Sequence, residues 1–127
     1  MSVSYSAVAT LYRSTNKDRF GIKKIGFRSD GIEELQSSLD FSDAANPPNL
    51  PVNVVTPNIN TITFLGIICT GGGTATVRIT SGNNVGKYID IPICNGSILM
   101  SGVELKGVVV ISVEGLGYLE IFGSGLK

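Results

Sequence analysis

The chain has 127 residues, the size of one domain, and its ten basic and ten acidic residues give a formal net charge of zero. A neutral chain has no field that would attract DNA, RNA or an anionic membrane, so we expect neither as a partner. The sequence contains no histidine, which excludes Ser-His and Cys-His nucleophile pairs and the usual histidine metal ligands. We therefore expect no enzymatic activity, no metal and no cofactor.

The first part of the predicted single domain, residues 1–50, is expected to hold extended chain and one short helix. Residues 4–11 alternate and predict a first strand, or an extended arm laid on a neighbouring molecule. Residues 20–27 predict a second strand with a bulge near Gly26. The chain's basic stretch, residues 13–28, is interpreted either as a solvated edge or as a contact with an acidic partner surface.

The predicted helix covers residues 31–39. Asp30 and Glu33 have the spacing of a capping box, and acidic residues are favoured in a first helical turn. The apolar residues of this segment recur on one helical face: Ile32, Leu35 and Leu39.

Residues 51–60 predict an extended connection. Four of the five prolines fall within residues 42–60, and proline removes a backbone donor and restricts the residue before it. The connection leads into the predicted core of the domain, residues 61–127.

From residue 61 onward, turn signals recur about every ten residues, which is typical of a sandwich or barrel. Gly71-Gly72-Gly73 and Asn95-Gly96 predict tight turns, and the segments on either side alternate apolar and polar residues. The predicted fold is mainly β, an antiparallel β-sandwich of jelly-roll or immunoglobulin-like type with an N-terminal arm.

Residues 107–123 predict a terminal hairpin with a three-residue loop at 115–117, in which Gly117 takes a positive φ. Val109, Ile111 and Val113 would face the core, opposite Leu119 and Ile121. The other face is also largely apolar, so it needs a second cover, either another sheet of this chain or another molecule. The predicted interface with a second copy or a partner consists of Val108, Val110, Tyr118, Phe122, Tyr5 and Val8.

Two further features leave alternatives open. Cys69 and Cys94 lie in apolar strand-like segments, which favours buried free thiols over a disulfide. Tyr88 lies close to Asn83 and Asn84 in sequence, and an aromatic ring beside amide side chains is a candidate sugar contact.

The segments NTITFLGIICTGGGTATVRITSG and NGSILMSGVELKGVVVISVEGLGYLEIFGSG combine short glycine-punctuated strands with abundant Thr, Ser, Asn and Val. They resemble small β-sandwich virion proteins of tailed bacteriophages. The resemblance implies a capsid decoration or cement protein that is made in the host cytoplasm, resides in the virion, forms homo-oligomers (trimers as a first hypothesis) and binds the major capsid protein or another virion protein. The alternatives are a tail component and a carbohydrate-binding or adhesin module.

Overall fold

The computed structural model describes residues 3–12, 22–82 and 87–127. Two strands form a separate sheet, here called the N-terminal hairpin, and five form a second sheet, here called the body, in the spatial order β3-β7-β5-β6-β4. The mainly β, antiparallel fold expected from the sequence is confirmed, and the body sheet curls into a half-barrel. The strands are β1 (Val3–Tyr12), β2 (Ile22–Gly31), β3 (Glu33–Asp40), β4 (Val52–Asn53), β5 (Thr61–Ser81), β6 (Tyr88–Glu114) and β7 (Tyr118–Leu126).

The segment predicted as a helix is strand β3, so that prediction is wrong. β3 pairs antiparallel with β7 along its whole length, from Glu33 opposite Gly125 to Asp40 opposite Tyr118. Leu35 is buried and Leu39 is half-buried on the inward side, whereas Ile32 lies before the strand and is exposed. The apolar residues therefore follow the two-residue period of a strand rather than the 3.6-residue period of a helix. The ladder with β7 satisfies the backbone hydrogen bonds and overrides the local capping signal.

Strand β5 is the centre of the body, and it curls so strongly that its ends approach each other. Its first part pairs with both β7 and the middle of β6, and its second part pairs with both the beginning and the end of β6. In each run the β6 residue number falls as the β5 number rises, so the local pairing is antiparallel. Leu105 pairs with both Ile62 and Ser81, which lie near opposite ends of β5.

The curl is made at a corner where β5 and β6 bend together. Gly71 and Gly72 have φ of 95° and 91°, and Asn95, opposite them, has φ of 44°. The Asn95 side-chain carbonyl accepts a hydrogen bond of 2.9 Å from the backbone N–H of Gly72. Both glycine-rich sites were predicted as turns that reverse the chain, and this is wrong: the residues take the positive φ that suits a turn, but each strand continues past the bend.

The predicted terminal hairpin is also wrong, although both of its strands exist. β6 and β7 pair with opposite sides of β5 and not with each other. The connection at 115–117 instead closes one end of the body, where Gly117 exchanges backbone hydrogen bonds with buried Phe41. Gly115, with φ of 71°, takes the left-handed conformation that was predicted for Gly117.

The inward face of the last part of β6 also differs from the prediction. Val108 and Val110 are 0% exposed, whereas Ile111 is half-buried. Ser112 pairs with Thr76 and Val110 pairs with Val77, so Ile111 is an extra residue in the ladder. This bulge breaks the strict alternation on which the predicted core face depended. Val113, beyond the bulge, packs against the core as predicted, whereas Val109 and Ile111 do not.

The core lies inside the curl of the body. It is built mainly from alternate residues of β5, β6 and β7, joined by Leu35 of β3 and Phe41 after it. Because neighbouring strands contribute side chains from the same face, the interior is continuous from one end of the body to the other. Its largest fully buried apolar side chains are Leu35, Ile62, Leu65, Ile67, Leu119, Ile121, Val77, Val108 and Val110.

The division between the two sheets falls between β2 and β3. β3 belongs to the body sheet, and among the described residues β1 and β2 alone form the separate sheet. Within the proline-rich connection, Val52 and Asn53 pair with Val110 and Val109, and the rest is irregular.

Candidate functional site: the N-terminal hairpin and its cleft

The N-terminal hairpin has one face toward the body and one face away from it. Directly paired residues share a face, and the ladder places Ala7 opposite Phe27 and Ala9 opposite Ile25. On this inner face Tyr5, Ala7, Ala9 and Phe27 are half-buried. The first part of the hairpin therefore lies on the body, which agrees with the prediction of a first strand.

The far end of the hairpin, toward residues 12 and 22, is not covered by the body. On the inner face Leu11 is 46% exposed and its neighbour Ile25 is 44% exposed, and on the outer face Val8 is 72% exposed. Lys23 and Lys24 lie at the same end and are exposed. This end of the hairpin therefore presents apolar side chains on both faces together with basic residues.

Tyr5 anchors the hairpin to the outer surface of the body. Its ring stacks on Phe64 with centroids 4.9 Å apart and planes within 9°, and it lies at 6.4 Å from the ring of Phe122. Phe64 is only 2% exposed although it lies outside the main core, so the hairpin is what removes it from water. The Tyr5 hydroxyl donates a hydrogen bond of 3.1 Å to Oε1 of Glu34.

The environment of the Tyr5 hydroxyl favours its protonated form. Partial burial raises the pKa of Tyr5, and the hydrogen bond to Glu34 and the charge of that carboxylate raise it further. The hydroxyl is therefore held as a hydrogen-bond donor across the neutral pH range.

A cleft of about 560 Å³ lies beside this anchor, between the hairpin and the outer face of β3 and β7. We call it the N-terminal cleft. Tyr5, Tyr118 and Phe122 provide aromatic surface, and Glu34 and Glu120 provide carboxylates. None of its lining residues in the described part of the chain is basic. The lining residues are Tyr5, Glu34, Gln36, Ser37, Ser38, Tyr118, Glu120, Ile121 and Phe122.

The register of β3 and β7 explains why these side chains meet. Gln36 pairs with Phe122 and Ser38 pairs with Glu120, so alternate residues of the two strands share the outer face. Gly66 of β5 pairs with Phe122, and a Cβ at Gly66 would lie 2.3 Å from the Phe122 ring. The absence of a side chain at Gly66 therefore leaves the space that the Phe122 ring occupies.

The structure separates the six predicted interface residues into three groups. Val108 and Val110 are completely buried inside the body, so their assignment to an interface is wrong. Tyr5, Tyr118 and Phe122 converge on the N-terminal cleft. Val8, the sixth, stands on the outward face of the hairpin.

Sequence reasoning missed the polar wall of the cleft. Glu34 was assigned to a helix, and Gln36 and Glu120 were not considered together with the tyrosines. The signal that could have found them is the strict alternation of polar residues on β3, Glu34-x-Gln36-x-Ser38-x-Asp40, which gives one polar face when the segment is a strand.

The alternative sugar contact at Tyr88 is only partly described. Tyr88 is 50% exposed, and the Arg78 guanidinium lies 3.8 Å from its ring centroid. Asp90 holds that guanidinium with two hydrogen bonds of 2.8 and 3.1 Å, which raises the pKa of Arg78 and lowers that of Asp90. One face of the ring is therefore occupied. Asn83 and Asn84 lie outside the described residues.

Both cysteines are free thiols, but they differ in exposure. Cys69 is buried, as predicted, and its thiol lies 3.6 Å from the carbonyl oxygen of Gly73. Cys94 is exposed rather than buried, and its thiol lies 3.5 Å from the carbonyl oxygen of Gly72. Both thiols therefore belong to the corner of β5 and β6.

Two searches of the described residues bear on other kinds of site. No helix there is long and apolar enough to span a membrane. Within the same ranges, no three histidine, cysteine or acidic side chains lie close enough together to hold a metal ion.

Comparison of the chain with protein families, with curated proteins and with solved structures finds no significant match. The functional argument therefore depends on the geometry of the chain itself.

Proposed function

We propose that this chain is a non-enzymatic structural protein with a β-sandwich body, which self-associates and binds a larger protein lattice. The specific form of the proposal is a capsid decoration or cement protein of a tailed bacteriophage. The observation that carries it is the far end of the N-terminal hairpin, where Val8, Leu11 and Ile25 expose apolar surface on both faces.

An isolated two-stranded hairpin is marginally stable in water. Burial of its exposed apolar side chains in a contact would contribute favourable free energy. Apolar surface of this kind is typical of a protein contact that forms on assembly. A capsid lattice or a neighbouring copy would cover both faces of the hairpin end at once. The zero formal net charge of the whole chain is compatible with tight packing of many copies.

Self-association is tested by light scattering of the full chain and of two matched variants. Replacing Val8, Leu11 and Ile25 by serine should weaken association at least about tenfold, because the apolar contact area is lost. The control replaces Tyr88 and Ile89, which are similarly exposed on β6, by serine and should leave association unchanged. A chain that is a monomer at high micromolar concentration would overturn the proposal.

Residence in a virion needs a second measurement. Mass spectrometry of purified particles of the virus that encodes the chain should detect it at many copies per particle. Purified particles without the chain should bind the purified protein at saturating stoichiometry. Particles that contain none of the chain and bind none of it would contradict the decoration role, whereas a few copies per particle would favour the alternative of a tail component.

A second candidate function, a carbohydrate-binding or adhesin module, is favoured by one observation. The N-terminal cleft combines the rings of Tyr118 and Phe122 with the carboxylate of Glu120 and the amide of Gln36, which is the chemistry that stacks on and hydrogen-bonds to a sugar. A glycan array with the wild-type chain and with Tyr118→Ala and Tyr88→Ala tests it. Binding that only Tyr118→Ala abolishes would support a sugar site in the cleft.

A further inference from the structure

The charges of this neutral chain are strongly divided between two regions. Residues 13–28 contain six basic residues and one acidic residue, a net charge of +5. The rest of the chain contains four basic and nine acidic residues, a net charge of −5. Two copies of such a chain attract each other where the basic stretch of one meets acidic side chains of the other.

The N-terminal cleft has the chemistry to receive a basic side chain. Glu34 and Glu120 supply two exposed carboxylates, with which Lys or Arg forms charge-assisted hydrogen bonds. The faces of Tyr118 and Phe122 add a surface over which an ammonium or guanidinium group is attracted by the ring electrons. A neutral sugar would use the aromatic surface but would leave both negative charges uncompensated.

The hairpin of the same chain does not bring its basic end to the cleft. Tyr5 lines the cleft and pairs with Ser29, whereas Lys24 pairs with Thr10, five residues further along the hairpin. At about 3.4 Å per residue, that end lies roughly 17 Å from the anchor. This basic end, which lies away from the chain's own cleft, also has exposed apolar residues on both faces.

We propose that the N-terminal cleft binds the basic end of the N-terminal hairpin of a second copy of this chain. This inference rests on the proposed self-association and specifies its geometry. Glu34 and Glu120 of one copy receive Lys24 of the next, and Val8, on the same outer face of that hairpin as Lys24, covers apolar surface around the cleft. The contact is head-to-tail, so it closes into a ring or extends as a filament, depending on the rotation between successive copies.

The test reverses the charges on each side of the contact separately and then together. The cleft variant, Glu34→Lys with Glu120→Lys, and the hairpin variant, Lys23→Glu with Lys24→Glu, should each weaken association at least about tenfold in light scattering. A single chain that carries all four substitutions should associate again, within about threefold of the wild type. An equimolar mixture of the two double variants should also associate, since each cleft then faces an opposite charge.

Two controls keep the result interpretable. Glu34 also holds Tyr5, so Glu120→Lys alone is included, because it changes the cleft charge without removing that hydrogen bond. Glu104→Lys with Glu114→Lys changes the net charge equally through exposed residues of β6 and should leave association unchanged. Circular dichroism of every variant confirms that the strands form.

The outcomes separate this inference from the proposed function. Association that weakens with salt and follows the charge reversals supports the inference. Association that ignores salt and both charge variants, but is lost when Val8, Leu11 and Ile25 are replaced, overturns the inference and leaves the proposed function intact. A chain that is monomeric under all conditions overturns both, and a glycan that binds the wild type but not Glu120→Lys, with association unaffected, assigns the cleft to a sugar.

Discussion

The body and the N-terminal hairpin are both antiparallel β structure, but they hide their apolar residues to very different degrees. In the body, residues such as Leu65 and Leu119 are completely buried by side chains of neighbouring strands. In the hairpin, even the inner-face residues Leu11 and Ile25 keep nearly half of their surface in contact with water.

The difference shows where each region obtains its stability. The body closes its own core, because β5 and β6 bend together and bring alternate residues of several strands to one interior. The described part of the hairpin has its own ladder and an anchor at Tyr5, but Val8, Leu11 and Ile25 remain exposed. The body therefore buries its own core, whereas we expect the hairpin to gain stability if a second molecule covers these side chains.

The largest expected loss of stability comes from a substitution inside the core of the body. Val110→Lys places a charge at a position that is 0% exposed, where no partner is available and desolvation costs several kcal/mol. We expect loss of the folded state, measured as loss of the cooperative unfolding transition. Ser112→Lys, on an exposed position of the same strand, should leave the transition nearly unchanged. If Val110→Lys folds but no longer self-associates, Val110 lies in an interface, as the sequence predicted, and not in the core.

The next effect compares two strand glycines, one in each region. A Cβ at Gly123 of β7 would lie 2.1 Å from the carbonyl oxygen of Phe64, so the backbone of β5 must move. We expect Gly123→Ala to lower the free energy of unfolding by more than about 2 kcal/mol. A Cβ at Gly26 of the hairpin meets nothing within 4 Å, so Gly26→Ala should change stability by less than about 1 kcal/mol, in the stabilising direction. Equal effects in chemical denaturation would contradict the packing difference.

A smaller effect concerns the anchor between the two regions. Tyr5→Ala removes the ring that stacks on Phe64 and the hydroxyl that bonds to Glu34. At concentrations where the chain is monomeric, we expect hydrogen exchange of the hairpin amides to accelerate about tenfold, with the central amides of β5 unchanged. Tyr5→Phe keeps the stacking and should accelerate exchange less. Acceleration throughout the body would mean that the hairpin is part of one cooperative unit with it.

The sequence predicts the class of fold because its strand signals are local. Alternation in residues 74–80 and 88–93 and the β-branched composition of the last third each indicate strands, and strands are found there. The position of the bend was also visible, since Gly71, Gly72 and Asn95 take positive φ. Local chemistry thus predicted where the backbone bends.

The pairing of the strands was not predictable in the same way, because it is decided by residues far apart in sequence. β6 and β7 are separated by only three residues but flank β5 on opposite sides. A bulge at Ile111 then exchanged the inward and outward residues that strict alternation assigned, and so placed Val110 in the core. The capping signal at Asp30 and Glu33 is real in sequence, but the ladder with β7 decides the conformation of Glu33.

The same reason explains why only half of the predicted interface residues line the N-terminal cleft. Tyr118 and Phe122 were identified because an apolar outer face is unusual, and that argument needed only the alternation of one strand. Tyr5 joins them because the hairpin lies across the body, and Glu34 and Glu120 join because β3 is a strand. The first fact comes from tertiary structure. The second was signalled by the alternation of polar residues from Glu34 to Asp40, which the capping signal outweighed in the prediction.

The smallest expected effect on stability concerns a polar contact on the exterior of the body, where apolar burial plays no part. The hydrogen bonds from Arg78 hold the pKa of the Asp90 carboxyl below its ordinary value, which is about 3.9 in an unfolded chain. A lowered pKa in the folded state means that the pair stabilises the fold above about pH 4 and that this contribution disappears as the pH falls through the lowered pKa. Asp90→Asn should therefore slightly lower the melting temperature at pH 7, and the difference from the wild type should shrink as the pH falls through the lowered pKa of Asp90.

The exposed carboxylate of Glu104 on the same strand provides the control for that measurement, as Glu104→Gln. A surface ion pair contributes little to stability, because water screens both charges and two long side chains must be held in one geometry. The expected shift is therefore smaller than that of any substitution above. A change in melting temperature as large as that of Gly123→Ala would mean that the stability of the body depends on its charged exterior as well as on its core. The difference between the body and the hairpin would then not come from apolar burial alone.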